Sequence, residues 1–270
     1  MPVNSEKRQI HDFWNEAVCG ENLYLSSADR RGYEAQARRR YELEPYIPEF
    51  ADFPSAKEKR VLEIGVGLGA DHQRLAEAGA DLYGIDLAER AVEHTRRRLA
   101  ICGLSSRLAT GDGEHLQFPE EWFDIIYSWG VLHHSPDTPR AIAEIRRVLK
   151  TGGIAKVMIY HKWSLVGYML WTRYALLRLR PWLRLATIYA RYLESPGTKA
   201  YSVREARQLF SAFKDVKIRT VLTHGDLLES EIGQRHRGAA LALAQRIWPR
   251  SILRRLFPGH GLFMLIEARK

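Results

Sequence analysis

The fold of this chain is decided by Arg60-Val61-Leu62-Glu63-Ile64-Gly65-Val66-Gly67-Leu68-Gly69. The first half of this stretch is β-branched and aliphatic, which is typical of a buried strand. Glycine then recurs at every second position, and an amphipathic run opens at Ala70. A strand, a glycine turn and a helix in that order predict a crevice for a nucleotide-like ligand. Glycine suits the turn because it tolerates positive φ and lets the backbone approach a ligand closely.

The pattern after residue 60 alternates between strands and helices. Strands are predicted at about 60–65, 81–86, 106–110, 123–128 and 154–160, with helices at about 70–78, 88–101 and 137–149. This alternation predicts an α/β protein with a parallel, doubly wound sheet.

The flanking segments predict additions to this sheet. Residues 1–56 show no clean strand and predict an N-terminal helical lid, which precedes a ligand-binding core at 57–161. Residues 162–200 predict a cap insertion of two helices separated at Pro181. Residues 201–270 predict two further strands at about 214–223 and 261–268, with a helical insertion at about 236–256. Ser202 and Glu205 match a capping box at the start of a helix.

The cysteine count and the hydropathy pattern bound the class of protein. The 270 residues include two cysteines, Cys19 and Cys102, which are too few for a disulfide framework and show no metal-ligand spacing. We therefore expect a reducing compartment and no metal site. The N-terminus lacks an apolar signal core, and no run of 18 uncharged apolar residues occurs. The expectation is a cytoplasmic protein.

The charge is distributed unevenly along the chain. Residues 1–161 carry 21 lysines and arginines against 25 acidic residues, a net charge of −4. Residues 162–270 carry 20 against 7, a net charge of +13. The basic part indicates either an anionic surface or partner, or an arginine-rich exterior that is simply solvated. Both interpretations stay open.

Three acidic residues near the ends of successive strands narrow the choice of ligand. The loop reads Gly-x-Gly-x-Gly rather than the Gly-x-Gly-x-x-Gly of dinucleotide sites, and Glu63 precedes it. An acid here repels a pyrophosphate but accepts hydrogen bonds from an amino group. Asp86 is placed for a ribose diol, and Asp112 for an adenine amino group. S-adenosylmethionine fits this set, since it has an amino group, a ribose, an adenine, a cationic sulfonium and no phosphate.

Four segments resemble those of the class I S-adenosylmethionine-dependent methyltransferases, in particular the type 11/25 and quinone-biosynthesis group. They are VLEIGVGLG (61–69), LYGIDLA (82–88), GDGEHLQFPEEWFDIIYSWGVLHHSPD (111–137) and LKTGGIAKVMIYH (149–161). The resemblance covers about residues 60–161 and is weaker for the last two strands. It implies a Rossmann-like, seven-stranded sheet of order 3-2-1-4-5-7-6 whose last strand is antiparallel.

The same resemblance implies a set of cofactor-binding residues. They are Glu63, Gly65, Gly67, Gly69, Asp86, Leu87, Asp112, Gly113, Ser128 and Trp129. By analogy, the glycines surround the methionine moiety and Glu63 orients it, largely through water. Asp86 holds the ribose while Leu87 packs on the adenine, and Asp112 accepts from the adenine amino group. Ser128 and Trp129 line the floor near the sulfonium.

Three histidines are candidates for a catalytic base. A hydroxyl or ammonium acceptor must lose a proton during methyl transfer, and histidine is suited to this role near neutral pH. His133, His134 and His161 lie just beyond strand ends that face the cofactor. For the pair, a polar contact that closes the cofactor pocket is the alternative interpretation.

The lid and the cap contain the candidates for acceptor binding. Trp14, Tyr24 and Tyr41 either contact the methionine carboxylate or the acceptor, or only hold the lid in place. The stretches 162–200 and 246–257 combine apolar residues with arginines. We interpret them as a cap over the acceptor pocket, which either touches an anionic bilayer or only packs on the sheet.

The sequence therefore predicts an S-adenosylmethionine-dependent methyltransferase that releases S-adenosylhomocysteine. Its expected acceptor is an oxygen, nitrogen or carbon atom of a small hydrophobic or anionic metabolite, such as a natural product, quinone or lipid precursor. One alternative is an RNA or protein methyltransferase that uses the basic part, although nucleic acid is not the expected partner. Another is a non-catalytic module that binds the cofactor. The acceptor and the oligomeric state stay open.

Overall fold

The chain begins with helices that precede the sheet. The computed structural model describes residues 5–229, 246 and 248–270. The first helices are α1 (Ser5–Glu16), α2 (Glu21–Tyr24), α3 (Arg30–Leu43) and α4 (Ile47–Ala51), followed by a 3₁₀ turn at Phe53–Ala56. Asp29 caps α3, because its carboxylate accepts a hydrogen bond from the Gly32 amide.

A seven-stranded sheet forms the centre of the molecule. Its strands are β1 (Arg60–Ile64), β2 (Asp81–Asp86), β3 (Arg107–Thr110), β4 (Phe123–Trp129), β5 (Leu149–Tyr160), β6 (Lys214–Val221) and β7 (Phe263–Arg269). The order is β3-β2-β1-β4-β5-β7-β6. β7 pairs antiparallel with both β5 and β6, whereas the pairs from β3 to β5 are parallel. The predicted fold class and strand order are confirmed.

Helices connect and follow the strands. They are α5 (Ala70–Glu77), α6 (Glu89–Ile101), α7 (Thr138–Val148), α8 (Leu165–Tyr174), α9 (Leu185–Tyr192), α10 (Val203–Leu209) and α11 (Arg250–Leu256), with a second 3₁₀ turn at Leu176–Arg178. The capping box of α10 is confirmed, since Ser202 and Glu205 exchange side-chain and backbone hydrogen bonds. Of the helical insertion predicted at about 236–256, residues 236–245 and 247 lie outside the described residues.

One strand begins earlier than its sequence predicts. β5 starts at Leu149 rather than at Ile154, because Leu149 already pairs with Phe123. Pairing then resumes between Ile154 and Ile125 after a shift in register. The glycines between these two positions hid the strand, since glycine is normally read as a break.

The core lies on both faces of the sheet. Successive residues of a strand point to opposite faces, so that Val61 and Leu62 of β1 belong to different buried clusters. The cluster around Val61 includes residues of α8 and α9, such as Val166 and Ile188. The cap helices therefore pack on the sheet, beside the carboxyl ends of β4 and β5.

A buried arginine joins the N-terminal helices to the glycine loop. Arg98 of α6 is 1% exposed and has its guanidinium among four acceptors. It donates to the Gln73 and Gln36 side chains at 2.7 Å each and to the backbone oxygens of Leu68 and Tyr33 at 3.1 Å each. Burial lowers the pKa of Arg98, but the acceptors satisfy its donors.

Candidate active site

The glycine loop after β1 makes a turn that other residues fit poorly. Gly65, Gly67 and Gly69 have φ values of 84°, 54° and 75°. A Cβ atom on Gly65 would lie 2.1 Å from the Val131 side chain, and one on Gly69 would lie 2.8 Å from the Thr95 hydroxyl. Val131 and Thr95 therefore pack against one side of the loop, and the backbone of the loop lines the crevice.

Asp86, at the end of β2, supports this loop directly. Its carboxylate accepts hydrogen bonds from the Gly67 amide at 3.1 Å and from the Ala88 amide at 3.0 Å. Burial raises the pKa of Asp86, and the backbone donors act in the opposite direction. Each carboxylate oxygen retains acceptor capacity for a vicinal diol.

The acid that follows β3 is already paired with a cation. The Lys7 ammonium of α1 lies 2.6 Å from an Asp112 oxygen and 2.5 Å from a Glu114 oxygen. Burial favours the neutral form of Asp112, but the Lys7 hydrogen bond outweighs it and holds the pKa below its usual range. Helix α1 thus closes this end of the crevice.

Glu63 is bonded to protein rather than exposed to water. One of its oxygens lies 2.7 Å from His72 Nδ1, and His72 Nε2 lies 2.7 Å from the Ser106 hydroxyl. Burial, reinforced by the Asp71 charge, raises the pKa of Glu63. Burial lowers the pKa of His72 to about 3, so His72 is neutral at pH 7.

One cavity of about 1050 Å³ joins the loop to the cap. At one end its wall includes the glycine loop, Asp86 and Asp112. At the other end the wall is mostly apolar and is formed by Val166, Met169, Leu170, Arg173, Leu177 and Trp248. Ligand cavities commonly measure about 300–1,000 Å³. The space therefore suits two ligands side by side.

Most of the predicted site residues line this cavity. They are Trp14, Tyr24, Glu63, Gly65, Gly67, Gly69, Asp86, Leu87, Asp112, Gly113, Trp129 and His134. The structure brings them together because the carboxyl ends of β1, β2, β3 and β4 meet at one edge of the sheet, under α1 and α2.

Four predicted residues lie away from the wall. The Ser128 hydroxyl donates to the Ile64 backbone oxygen, and the Tyr41 hydroxyl donates to Asp71. His161 is buried with Nδ1 3.2 Å from the Gly261 oxygen. His133 is fully buried, with its ring 3.8 Å from the Tyr160 ring. This geometry gives none of the four direct contact with a ligand in the cavity.

His134 is the predicted histidine that reaches the cavity. Its Nδ1 lies 2.8 Å from the Ser195 hydroxyl, and its Nε2 lies 3.5 Å from a Glu194 oxygen. The same Glu194 oxygen accepts a hydrogen bond of 2.6 Å from Tyr160. Trp14 contacts the His134 ring edge-on, with centroids 5.3 Å apart. The lid and the cap loop thus meet at His134.

Glu44 is a cavity residue that the sequence reasoning missed. It follows the last turn of α3 and lies 3.3 Å from the Arg40 guanidinium. Burial raises the pKa of Glu44 to about 7, and Arg40 limits the rise. A carboxyl group with this pKa can accept a proton near neutral pH. The position of Glu44 was a signal in the sequence, because an acidic residue at the C-terminus of a helix is unfavourable with the helix dipole and its presence there indicates another role.

Arg40 also takes part in a buried polar network with α5 and β4. The Asp71 carboxylate accepts hydrogen bonds from Arg40, Tyr41 and Tyr127. Burial acts to raise the pKa of Asp71, but Arg40 outweighs it and holds that pKa below its usual range. Arg40 and Asp71 line the cavity, so an ion pair borders the space beneath the lid.

The cap presents large apolar side chains to solvent. Leu177, Leu179 and Trp182 are 74%, 83% and 73% exposed, and Arg178, Arg180 and Arg184 lie among them in the sequence. Ile252 and Leu256 of α11 are exposed as well. Across residues 5–229, 246 and 248–270, no helix combines the length and the apolar character needed to cross a bilayer.

Residues 62–157 match the family profile described as a methyltransferase domain. This match covers the segments that carry Glu63, Asp86 and Asp112. Over these residues the chain is similar to the S-adenosylmethionine-dependent methyltransferases. The structure and the sequence motifs agree on this assignment, because the strand order is the one that the family resemblance implied.

Similar proteins include methyltransferases of several kinds. A Caenorhabditis elegans sterol 4-C-methyltransferase is 33% identical over 101 residues, covering 37% of this chain and 30% of that protein. A Tropheryma whipplei demethylmenaquinone methyltransferase is 34% identical over 125 residues, covering 45% of this chain and 51% of that protein. The matched segments thus cover 30% and 51% of the lengths of these two methyltransferases.

A solved structure with the same fold is a Haemonchus contortus phosphoethanolamine N-methyltransferase in complex with phosphomonomethylethanolamine and S-adenosylhomocysteine. It aligns with 100% of this chain and 61% of its own, with a TM-score of 0.64 and 17% identity. At this identity the likeness establishes the fold alone.

Proposed function

We propose that this protein transfers a methyl group from S-adenosylmethionine to an oxygen, nitrogen or carbon atom of a small hydrophobic or anionic metabolite. The observation that carries the proposal is one continuous cavity, which joins the glycine loop and its acids to an apolar chamber under α8. Methyl transfer requires the acceptor atom in line with the S–CH₃ bond, and a shared cavity provides that alignment. S-adenosylhomocysteine is the second product.

The acids at the strand ends support the position of the cofactor. We infer that Asp86 binds the ribose hydroxyls and that the loop from Gly65 to Gly69 surrounds the methionine part. We place the adenine beside Leu87, Asp112 and Gly113. Because Lys7 already contacts Asp112, the adenine amino group must share that carboxylate or displace the lysine.

A comparison of two aspartates on the same strand tests the cofactor site. Asp86→Ala should weaken S-adenosylmethionine binding at least tenfold by calorimetry, because it removes a ribose acceptor and the support of Gly67. Asp81→Ala is the matched control, since Asp81 lies at the other end of β2 and pairs with Arg60 and Arg107. Equal affinity in the two variants would contradict the assignment.

The proton acceptor is proposed from the groups at the cavity wall. His134 and Glu44 both line the cavity, whereas His133 and His161 do not. If His134 takes the proton, His134→Ala should lower single-turnover methyl transfer with little change in cofactor affinity. Glu44→Gln tests the carboxyl group in the same assay. Wild-type rates in both variants would remove these residues from the mechanism.

The apolar end of the cavity supports a lipophilic acceptor. Met169, Leu170 and Leu177 offer hydrocarbon surface, and Arg173 offers one positive charge beside it. The relatives named for sterol and demethylmenaquinone methylation act on molecules of this character. Mass spectrometry of cell extracts incubated with isotopically labelled cofactor would identify the acceptor.

We also propose that the segment 176–184 touches an anionic membrane. Its exposed Leu179 and Trp182 stand among arginines, and neighbouring Leu177 lines the cavity, so that a lipophilic acceptor would reach the site from the bilayer. The protein should sediment with anionic liposomes at low salt. Leu179→Ser with Trp182→Ser should reduce sedimentation, whereas Trp163→Ser, an exposed control outside the segment, should not. Sedimentation that is equal in both variants would contradict this surface.

The basic C-terminal part, with its net charge of +13, favours one second candidate, the methylation of RNA or protein. Phosphate contacts would make binding of RNA fall steeply with salt. A non-catalytic cofactor-binding module would instead bind S-adenosylmethionine without transferring its methyl group to any acceptor in extracts.

A further inference from the structure

A pair of adjacent histidines meets a glutamate from the cap at the cavity wall. His133 and His134 follow β4, and Glu194 follows α9, some 60 residues later in the sequence. One ring nitrogen of each histidine and one Glu194 oxygen all lie within 4.8 Å of one another. No local sequence pattern indicates this cluster, because the histidines and the glutamate come from separate segments.

The buried His133 side chain has polar atoms that no described protein group satisfies. Both of its ring nitrogens are buried, and neither has a hydrogen-bond partner in the described part of the chain. A buried polar group without a partner costs about 1–3 kcal/mol. Such groups in native proteins commonly mark a water or an ion.

The distances fit a metal ion better than a hydrogen bond. His134 Nε2 and the Glu194 oxygen are 3.5 Å apart, which is long for an N–H···O bond. Two ligands at about 2.0–2.2 Å from a tetrahedral ion lie about 3.3–3.5 Å from each other. One His133 ring nitrogen lies within 4.8 Å of both atoms and supplies the third protein ligand.

The groups behind these ligands orient them. His134 Nδ1 can donate to the Ser195 hydroxyl at 2.8 Å, which leaves Nε2 with its lone pair toward Glu194. Tyr160 donates to the same Glu194 oxygen at 2.6 Å. Outer hydrogen bonds of this kind are usual at metal sites.

We propose that His133, His134 and Glu194 bind a divalent transition-metal ion of the Zn²⁺ type, with an open position toward the cavity. Two imidazoles and one carboxylate suit Zn²⁺ and its neighbours, whereas Mg²⁺ and Ca²⁺ prefer oxygen ligands. His134, Glu194 and Tyr160 line the cavity, so the fourth position faces its interior. An oxygen atom of the methyl acceptor is the ligand that this position would take. With His134 holding the ion, Glu44 is the proton acceptor that remains at the cavity wall. That last step rests on the proposed methyltransferase function, whereas binding of the ion does not.

Of the charged groups near the cluster, one opposes the binding of a cation and one favours it. The Lys199 ammonium lies near His133, and its positive charge opposes the binding of a cation. The same ammonium also donates hydrogen bonds to the Ser135 and Pro136 backbone oxygens. The Glu44 carboxyl group lies near Glu194 and favours a cation. Bound metal would relieve the repulsion between these two acids.

Metal binding to the full chain tests the proposal. After treatment with a chelator and dialysis, the protein should take up one Co²⁺ per chain with the visible absorption of four-coordinate Co²⁺, and Zn²⁺ should displace it. Glu194→Gln and His134→Gln should each weaken Zn²⁺ binding at least about tenfold in calorimetry. These residues are chosen because His133 is fully buried and its replacement would disturb the core.

A second histidine provides the matched control. His115 lies with Asp112 and Glu114 in another group of acidic and histidine side chains, on an exposed loop. His115→Gln should leave Zn²⁺ affinity unchanged. Absence of binding in the wild type, unchanged affinity in both cluster variants, or loss of binding in His115→Gln would each overturn the proposal.

Calorimetry with S-adenosylhomocysteine on the same samples separates the two hypotheses. Cofactor binding in Glu194→Gln and His134→Gln would show that the variants are folded. Metal binding without cofactor binding in the wild type would refute the proposed function and leave the metal site. The reverse result would refute the metal site alone.

Discussion

Replacing Gly65 by alanine should damage the glycine loop in two separable ways. The backbone at Gly65 has φ 84°, a conformation that costs a residue with a Cβ atom about 1–2 kcal/mol. In addition, the new Cβ would lie 2.1 Å from Val131 Cγ2, 3.0 Å from its Cβ and 3.1 Å from its Cγ1. Overpacking of this kind costs about 1–3 kcal/mol. The expected loss of unfolding free energy is therefore about 2–5 kcal/mol.

Gly103 supplies the control for the backbone part of this cost. It has φ 69° at the end of α6, and a Cβ there would meet no described atom within 4 Å. Gly103→Ala should therefore lose about 1–2 kcal/mol. Urea unfolding followed by circular dichroism measures both variants under the same conditions.

The steric part can be checked by a double substitution. Val131→Ala removes both γ-methyl groups and should recover part of the loss in Gly65→Ala, with a coupling energy of about 0.5–3 kcal/mol. Because Gly65 lines the cavity, Gly65→Ala should also weaken cofactor binding. If Gly65→Ala and Gly103→Ala lose the same stability and Val131→Ala restores none, the described packing of the loop is wrong.

Three further predictions concern stability. Burial raises the pKa of Glu44 from 4.5 to about 7, so the stability that its neutral form contributes is present below pH 4.5 and is lost as the pH rises through 7. The unfolding free energy of Glu44→Gln, measured relative to the wild type by urea titration, should therefore be higher at pH 8 than at pH 4.5 by up to about 3 kcal/mol. The same difference between the two proteins at both pH values would contradict this. Asp71→Ala removes one of the two acidic partners of Arg40 and the acceptor of the buried Tyr127 hydroxyl, and it should lose about 1–3 kcal/mol in the same titration. An unchanged unfolding free energy would contradict the network. Ser202→Ala should lower the unfolding free energy by about 0.5–2 kcal/mol, while Ser211→Ala, beyond the end of α10, serves as the unaffected control.

The sheet and the group of residues at the glycine-loop end of the cavity were predictable from the sequence for a shared reason. Strand patterns are local, and parallel strands place their carboxyl ends at one edge. Once β1, β2 and β3 were recognised, Glu63, Asp86 and Asp112 had to approach one another. The order of β6 and β7 came from the family resemblance rather than from periodicity.

The acceptor end depends on contacts that no local pattern encodes. Glu44 and Glu194 are 150 positions apart and reach one cavity because a lid helix and a cap loop pack over the same strands. Likewise, His133 and His134 are adjacent in sequence, yet the first is fully buried and the second lines the cavity. Which of two neighbouring residues faces a ligand is decided by the turn after β4.

The hydrogen bonds of Arg98 couple the unfolding of the N-terminal helices to that of the sheet. Its guanidinium holds backbone oxygens from α3 and from the glycine loop, together with two glutamines. Removing the first 56 residues would deprive this buried cation of two acceptors. The lid helix and the sheet should therefore open as one cooperative unit, with amide hydrogens of α3 and β1 exchanging with solvent at similar rates. A cofactor that rigidifies the loop would then slow exchange in α3, a helix whose backbone it need not touch.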